Sequence, residues 1–202
     1  MHDLLASLSR VLLGLLFGAT LGVVAGLATG RSAIAKSALT PLFQILRPLP
    51  PVAIIPLVII WLGIGEPAKL FAIAFGVFFP VWLNTHVGAA NVPVEHLLCA
   101  KVFSTSRWRT FTRVIIPAAF PTIFAGLRVG IAVSFVMVYV AEFAGASVGI
   151  GYEISITYLG YRIDSMMAAL AVLALVGAAT DLLITALVAS IFPWMKIRAR
   201  SI

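Results

Sequence analysis

Among the charged side chains that stand inside otherwise apolar stretches of sequence are Arg47, Arg128, Glu142 and Asp181. An ionised group in hydrocarbon is costly, so each needs a partner or a task. Counting about 1.5 Å per helical residue, Arg128 and Asp181 lie roughly 20 and 18 Å from the same face of a bilayer. Opposite charges at one depth are expected to pair; the alternative task for Arg128 is to attract an anionic solute. Arg47 has no counter-charge at its depth and directly precedes Pro48-Leu49-Pro50-Pro51. With Pro48, Pro50 and Pro51 it is a candidate for an anion-attracting element of a pathway. The plainer reading is that its guanidinium snorkels to the surface. Glu142, near the end of its stretch, is a candidate for the same pathway, or for contact with an outer gate or a docking protein. Covalent chemistry has no comparable candidates. Cys99 is the single cysteine, which excludes an intrachain disulfide, and His86 and His96 lack a second ligand nearby, so no metal site is expected. The sequence has no Gly-rich phosphate loop either, so the chain is not expected to hydrolyse ATP alone.

The elements that must position these residues are membrane helices. Hydrophobic residues make up 62% of the chain and charged residues 10%, too little polar surface for a soluble domain. Five apolar blocks, at 4–29, 39–62, 70–87, 115–144 and 165–192, approach or exceed the roughly 20 residues that a spanning helix needs. Continuous runs of this kind argue against a barrel, whose strands would alternate over short segments. The blocks nearly exhaust the 202 residues. That predicts one membrane domain, 1–202, with no room for a catalytic one. The first block lacks a preceding basic region and a small-residue cleavage pattern, and so reads as a retained helix. Gly14, Gly18, Gly22 and Gly26 recur on it every four residues, a stripe suited to close helix packing. The prolines at 48, 50, 51 and 56 must interrupt the second block. Broken backbone at membrane depth is tolerated where it is buried in protein or lines a wet cavity. Trp61, Trp82 and Trp194 read as interfacial anchors, and Met137, Met166 and Met167 as core filler. The stretch 145–164 reads as a partly ordered loop between two spans.

The net charge of +7 suits basic loops beside anionic lipid and gives no reason to invoke nucleic acid. Lys101, Arg107, Arg109 and Arg113 lie between the third and fourth blocks, Arg31 and Lys36 follow the first, and Lys196, Arg198 and Arg200 sit in the tail. Placing these inside puts the N-terminus outside and the C-terminus in the cytoplasm, as five spans require. The segment 91–114 is then cytoplasmic. Asn91 can cap a helix there, Pro93 suits the first turn and Glu95 the positive helix end. Val94, Leu97, Leu98, Lys101 and Val102 follow at helical spacing. Ser104-Thr105-Ser106 interrupts this helix, and a second begins at Arg107 with Trp108 among the basic residues. A short helix of this kind either lies on the membrane or inserts into a groove on a partner protein. Two rival readings are an ion-driven secondary transporter or channel, for which no internal repeat is apparent, and a membrane scaffold.

Several short motifs, in order along nearly the whole chain, resemble one family. Leu98-Cys99-Ala100, Ser104 and Val114-Ile115-Ile116-Pro117 keep the spacing of the signature loop of binding-protein-dependent ABC importer permeases. That loop reads E-A-A, three residues, G, nine residues, I-x-L-P. The stretches 46–51, 61–66, 78–80, 106–108, 126–128, 141–142 and 149–152 resemble the branch that carries sulfonates, taurine and nitrate. The resemblance implies an all-α membrane protein of the type I importer permease fold: about five spans plus short cytoplasmic coupling helices. It also implies a bacterial inner-membrane location and a second permease copy or paralogue. Two ABC ATPase subunits would bind ATP and Mg, a periplasmic or extracellular solute-binding protein would deliver solute, and this chain would hold no cofactor. Glu95, Leu98, Cys99, Ala100, Ser104, Arg107 and Trp108 would then couple to the ATPase. Two departures stand out. The family's Glu falls on Leu98 and its Gly on Ser104; Glu95, one turn earlier, is the candidate to supply the missing charge. Members of the family also carry one more helix ahead of the segment that opens this chain.

Overall fold

A computed structural model describes residues 2–103 and 106–192, and every regular element among them is helical. The small-residue stripe sets the central packing. Helix α1 (His2–Arg31) and helix α4 (Glu66–Ala90) run parallel in contact along most of their length. A Cβ at Gly14 would sit 2.5 Å from Ile73, and one at Gly22 would sit 2.9 Å from the Phe78 carbonyl oxygen. Only glycine permits that approach, and in lipid such close van der Waals contact is what holds helices together. Helix α7 (Ile116–Gly145) packs antiparallel on the other side of α4, where Gly126 lies against Pro80 and Asn84. Val11 and Leu15 from α1, Ile73 and Val77 from α4, and Ile131 and Val138 from α7 form the shared core.

The proline run acts as the sequence predicts. Helix α2 (Ala33–Leu46) ends at Arg47, and a 3-10 turn at Pro51–Ile54 leads into α3 (Ile55–Leu62). The two limbs are bent by 87°. At 14 and 8 residues, neither limb reaches across about 30 Å of hydrocarbon. Four other helical stretches are long and apolar enough to cross: α1, α4, the run Arg107–Gly145 that contains α7, and α9 (Ile163–Ile191). The broken pair makes a fifth if both limbs count as one span. The five apolar blocks of the sequence thus correspond to these elements.

One end of the bundle carries α5 (Val94–Val102), α6 (Arg107–Thr110) and a π-helical turn, Phe111–Ile115, that runs into α7. Asn91 closes α4 and Pro93 takes the N-cap position of α5. The expectation that Asn91 caps the arm helix is therefore corrected. Only two residues separate Asn91 from Val94, and Asn91 is already committed to Val87 O through its own N–H at 3.1 Å. The stretch expected to be a loop contains helix α8 (Ile150–Leu159), which buries Ile150, Ile154 and Thr157. Trp82 is 1% exposed and packs inside the bundle, its indole N–H donating to Thr29 Oγ1 at 3.1 Å, so it is no interfacial anchor. Met137 is buried whereas Met167 is exposed on α9, a helix with no buried residue. Trp194 and the basic tail lie outside the described residues.

Candidate functional site

The segment 91–114 builds a short helical arm outside the bundle. Ala100 is the one buried residue of α5. Val94, Leu98 and Val102 recur every four residues and are all exposed, and Phe103 (78%) and Trp108 (71%) continue the same apolar run. Trp108 stacks on Phe111 with ring centroids 6.0 Å apart. Ser106 caps α6 by accepting from the Arg109 N–H at 3.3 Å. Glu95, Cys99, Arg107 and Arg109 are exposed around these apolar groups. Ser104 lies outside the described residues. Large exposed apolar groups rimmed by charge mark an interaction surface. From the arm, the chain continues through the π turn into α7 as one helical run of 39 residues.

At the break between α2 and α3, Arg47, Pro48 and Pro50 are exposed and Pro51 is half-buried. The Arg47 N–H bonds back to Phe43 O at 2.9 Å, which ends α2. The break therefore presents a guanidinium and a proline ridge on the surface of the chain.

Arg128 and Asp181 meet across the gap between α7 and α9. Arg128 Nε donates to Asp181 Oδ1 at 3.0 Å and Nη2 donates to Oδ2 at 2.7 Å, a bidentate fork. The pair sits in a groove of about 850 Å³ whose walls include Phe135, Tyr139, Leu173 and Gly177. The Arg128 side chain is 50% exposed and that of Asp181 27%.

A second charged cluster, at the opposite end from the arm, escaped the reading of the sequence. Glu142 does not face an outer gate or a docking protein: its side chain is fully buried. Arg10 Nη1 donates to Glu142 Oε1 at 2.7 Å. The Gly151 N–H donates to Oε2 at 2.8 Å. The Ser7 hydroxyl lies 2.8 Å from both carboxylate oxygens and accepts from the Ile150 N–H at 2.9 Å. Three donors, one of them charged, therefore meet the two carboxylate oxygens, which is the compensation a buried carboxylate requires. Arg10 reaches onward to Glu66 with Nε at 2.8 Å and Nη2 at 2.7 Å, and Lys69 Nζ joins Glu66 at 2.9 Å. Gly149, at φ +136°, brings its backbone so close that any side chain there would strike the Glu142 carboxylate. Asp3 accepts from the Gly149 N–H at 3.0 Å. One cluster thus ties α1, α4, α7 and the start of α8 together. Arg10, a lone cation inside the first apolar block, was the available signal, of the same kind as Arg128.

Among the described residues no group of His, Cys, Asp and Glu side chains could hold a metal ion. His86 Nδ1 lies 3.0 Å from Thr29 Oγ1, the hydroxyl that also accepts from Trp82.

Comparison with known proteins gives this arrangement a setting. Residues 18–197 match the family described as binding-protein-dependent transport system inner membrane component. The chain is 35% identical to the nitrate import permease protein NrtB of Synechocystis sp., covering 95% of this chain and 70% of that protein. It is 33% identical to the taurine transport system permease protein TauC of Escherichia coli, over 96% of this chain and 70% of that one. It is 35% identical to the putative aliphatic sulfonates transport permease protein SsuC of Bacillus subtilis, over 93% and 68%. In three dimensions it superposes on a chain of the MetNI methionine ABC transporter in an inward-facing conformation, with a TM-score of 0.73 at 17% identity, covering 91% of this chain and 92% of that one. The fold is that of a type I ABC importer permease, and a secondary transporter is not favoured. The sequence match over nearly its whole length shows that this chain belongs to the family of inner-membrane components of binding-protein-dependent transport systems.

Proposed function

We propose that this chain forms half of the pathway of an ATP-driven importer for a small oxyanion, with its N-terminus outside and its C-terminus in the cytoplasm. The observation that carries the reading is the arm. Val94, Leu98, Val102, Phe103 and Trp108 are held out of the bundle beside Arg107 and Arg109, where a grooved partner would bury them as anchors. The partner is an ABC ATPase subunit, which supplies ATP and Mg; this chain does no covalent chemistry. Glu95, Cys99 and Ser104 complete the coupling surface, with Ala100 buried behind it, and Glu95 replaces the charge that the family motif places at Leu98. The unbroken run from Arg107 into α7 carries movement of the arm directly to Arg128. A solute-binding protein delivers cargo at the end that holds α8. A second copy or a paralogue closes the pathway on the other side, with Arg47 and the ridge of Pro48, Pro50 and Pro51 as further lining. The oxyanion class rests on the cargoes for which the relatives are named, nitrate, taurine and sulfonates, and on guanidinium groups at membrane depth.

The test is reconstitution with the ATPase and solute-binding proteins in liposomes. The expected result is ATP hydrolysis stimulated by a binding protein loaded with nitrate, taurine or an alkanesulfonate, and lost in Val102→Asp or Trp108→Ala. Uptake driven by an ion gradient without any ATPase subunit would contradict the reading. Hydrolysis that is unchanged by Glu95→Ala would remove Glu95 from the coupling surface.

A further inference from the structure

The ion pair between α7 and α9 sits where a pair has least reason to be. Both residues lie near the middle of their helices, Arg128 in Ile116–Gly145 and Asp181 in Ile163–Ile191. Yet their side chains are 50% and 27% exposed to the groove. Ionisable groups at that depth face a bundle interior or a wet cavity, because hydrocarbon does not solvate them. A groove that admits water at Arg128 is the setting such a pair needs, and the rest of its lining, including Val129, Ala132, Phe135 and Leu173, is largely apolar. An ion pair that water can reach contributes little net stability. It can be opened at little cost, unlike the sealed pair of Arg10 with Glu142.

The geometry says what would open it. Nε and Nη2 of Arg128 point two parallel donors at two oxygens of one group, 3.0 and 2.7 Å away. A planar guanidinium edge fits any oxyanion that presents two oxygens, whether carboxylate, nitrate or sulfonate. Asp181 occupies the place such an anion would take.

We propose that the α7–α9 groove is a binding site for a small monovalent oxyanion in which Asp181 acts as a tethered stand-in for the solute, holding the Arg128 fork until the solute displaces it. The proposal rests on the reading of the chain as an oxyanion pathway and adds the site and its regulation. Displacement exchanges one carboxylate for one oxyanion, so the fork is never left bare, and the released Asp181 carboxylate turns to the open side of the groove, to which it is already 27% exposed. Competition from Asp181 keeps the solute weakly held, as a site that must also release its cargo requires. The apolar walls accept the short tail of an organic sulfonate, and nitrate needs only the fork.

The test titrates sodium nitrate and, separately, sodium ethanesulfonate into the full chain in lipid nanodiscs, by calorimetry. Removing the competing carboxylate in Asp181→Asn is expected to tighten binding of both anions by about fivefold or more, the ratio that corresponds to an exposed ion pair. Arg128→Gln in the same background is expected to abolish binding. Asp181→Ala provides a second variant with the same expectation if the amide fails to fold. Unchanged affinity in both Asp181 variants, or undiminished binding after Arg128→Gln, overturns the proposal. Tightening of ethanesulfonate alone overturns the shared-fork mechanism. These outcomes are independent of the ATPase reconstitution: stimulated hydrolysis with unchanged affinity sinks only this site, and tightened binding without stimulated hydrolysis sinks only the importer reading.

Discussion

The chain contains two arginine–carboxylate pairs with nearly the same contact distance and opposite circumstances. Arg10 and Glu142 meet at 2.7 Å with 9% and 0% of their side chains exposed. Arg128 and Asp181 meet at 2.7 Å with 50% and 27% exposed. The first is surrounded by further donors from Ser7 and Gly151 and ties four helices together. The second joins only α7 to α9, and each of its oxygens takes one donor from Arg128. A short contact thus says little about what a pair does. Burial and the satisfaction of the remaining lone pairs decide whether it is a clasp or an exchangeable latch.

The difference is open to mutation. The largest effect is expected from Glu142→Ala, which removes the buried carboxylate shared by Arg10 Nη1, the Ser7 hydroxyl and the Gly151 N–H and leaves Arg10 only its outer partner Glu66: about 3–5 kcal/mol of stability lost, read as unfolding in detergent. A loss below about 1 kcal/mol would place this pair in the exposed class. Glu66→Gln comes next. Glu66 is 55% exposed and engages the outer edge of the same guanidinium, so the expected loss is about 1 kcal/mol in the same assay. The smallest effect belongs to the double change Arg128→Leu with Asp181→Leu. It should alter stability by less than about 1 kcal/mol while abolishing solute-stimulated ATP hydrolysis in the reconstituted complex. Full hydrolysis in that variant would show that the pair serves packing alone.

How much of this was readable in the sequence follows from the physics each signal reports. The proline run at 48–51 and the glycine stripe at 14–26 are local and nearly obligatory, so both the break and a close helix contact along α1 could be anticipated, though not that α4 makes it. Arg128 and Asp181 were legible because equal depth on two long helices is a matter of counting. Trp82 misled because indole is as much at home inside a bundle as at an interface once its N–H has a partner, here Thr29. Glu142 misled for a similar reason: helix position placed it near an end, but the Ser7 and Arg10 groups that bury it come from the other end of the chain, 135 and 132 residues away. No spacing rule reaches that far. The arm was visible as a basic amphipathic segment, whereas the degree to which it stands clear of the bundle was not.

The claim on which the account turns is that this arm faces the cytoplasm and grips an ATPase. Cys99, exposed on α5 and the only cysteine, tests it without engineering. A membrane-impermeant maleimide should fail to label Cys99 in intact cells. It should label Cys99 in inside-out vesicles stripped of the ATPase, and lose that access when the ATPase subunit is added back. Labelling in intact cells, or labelling that the ATPase leaves untouched, would contradict the account.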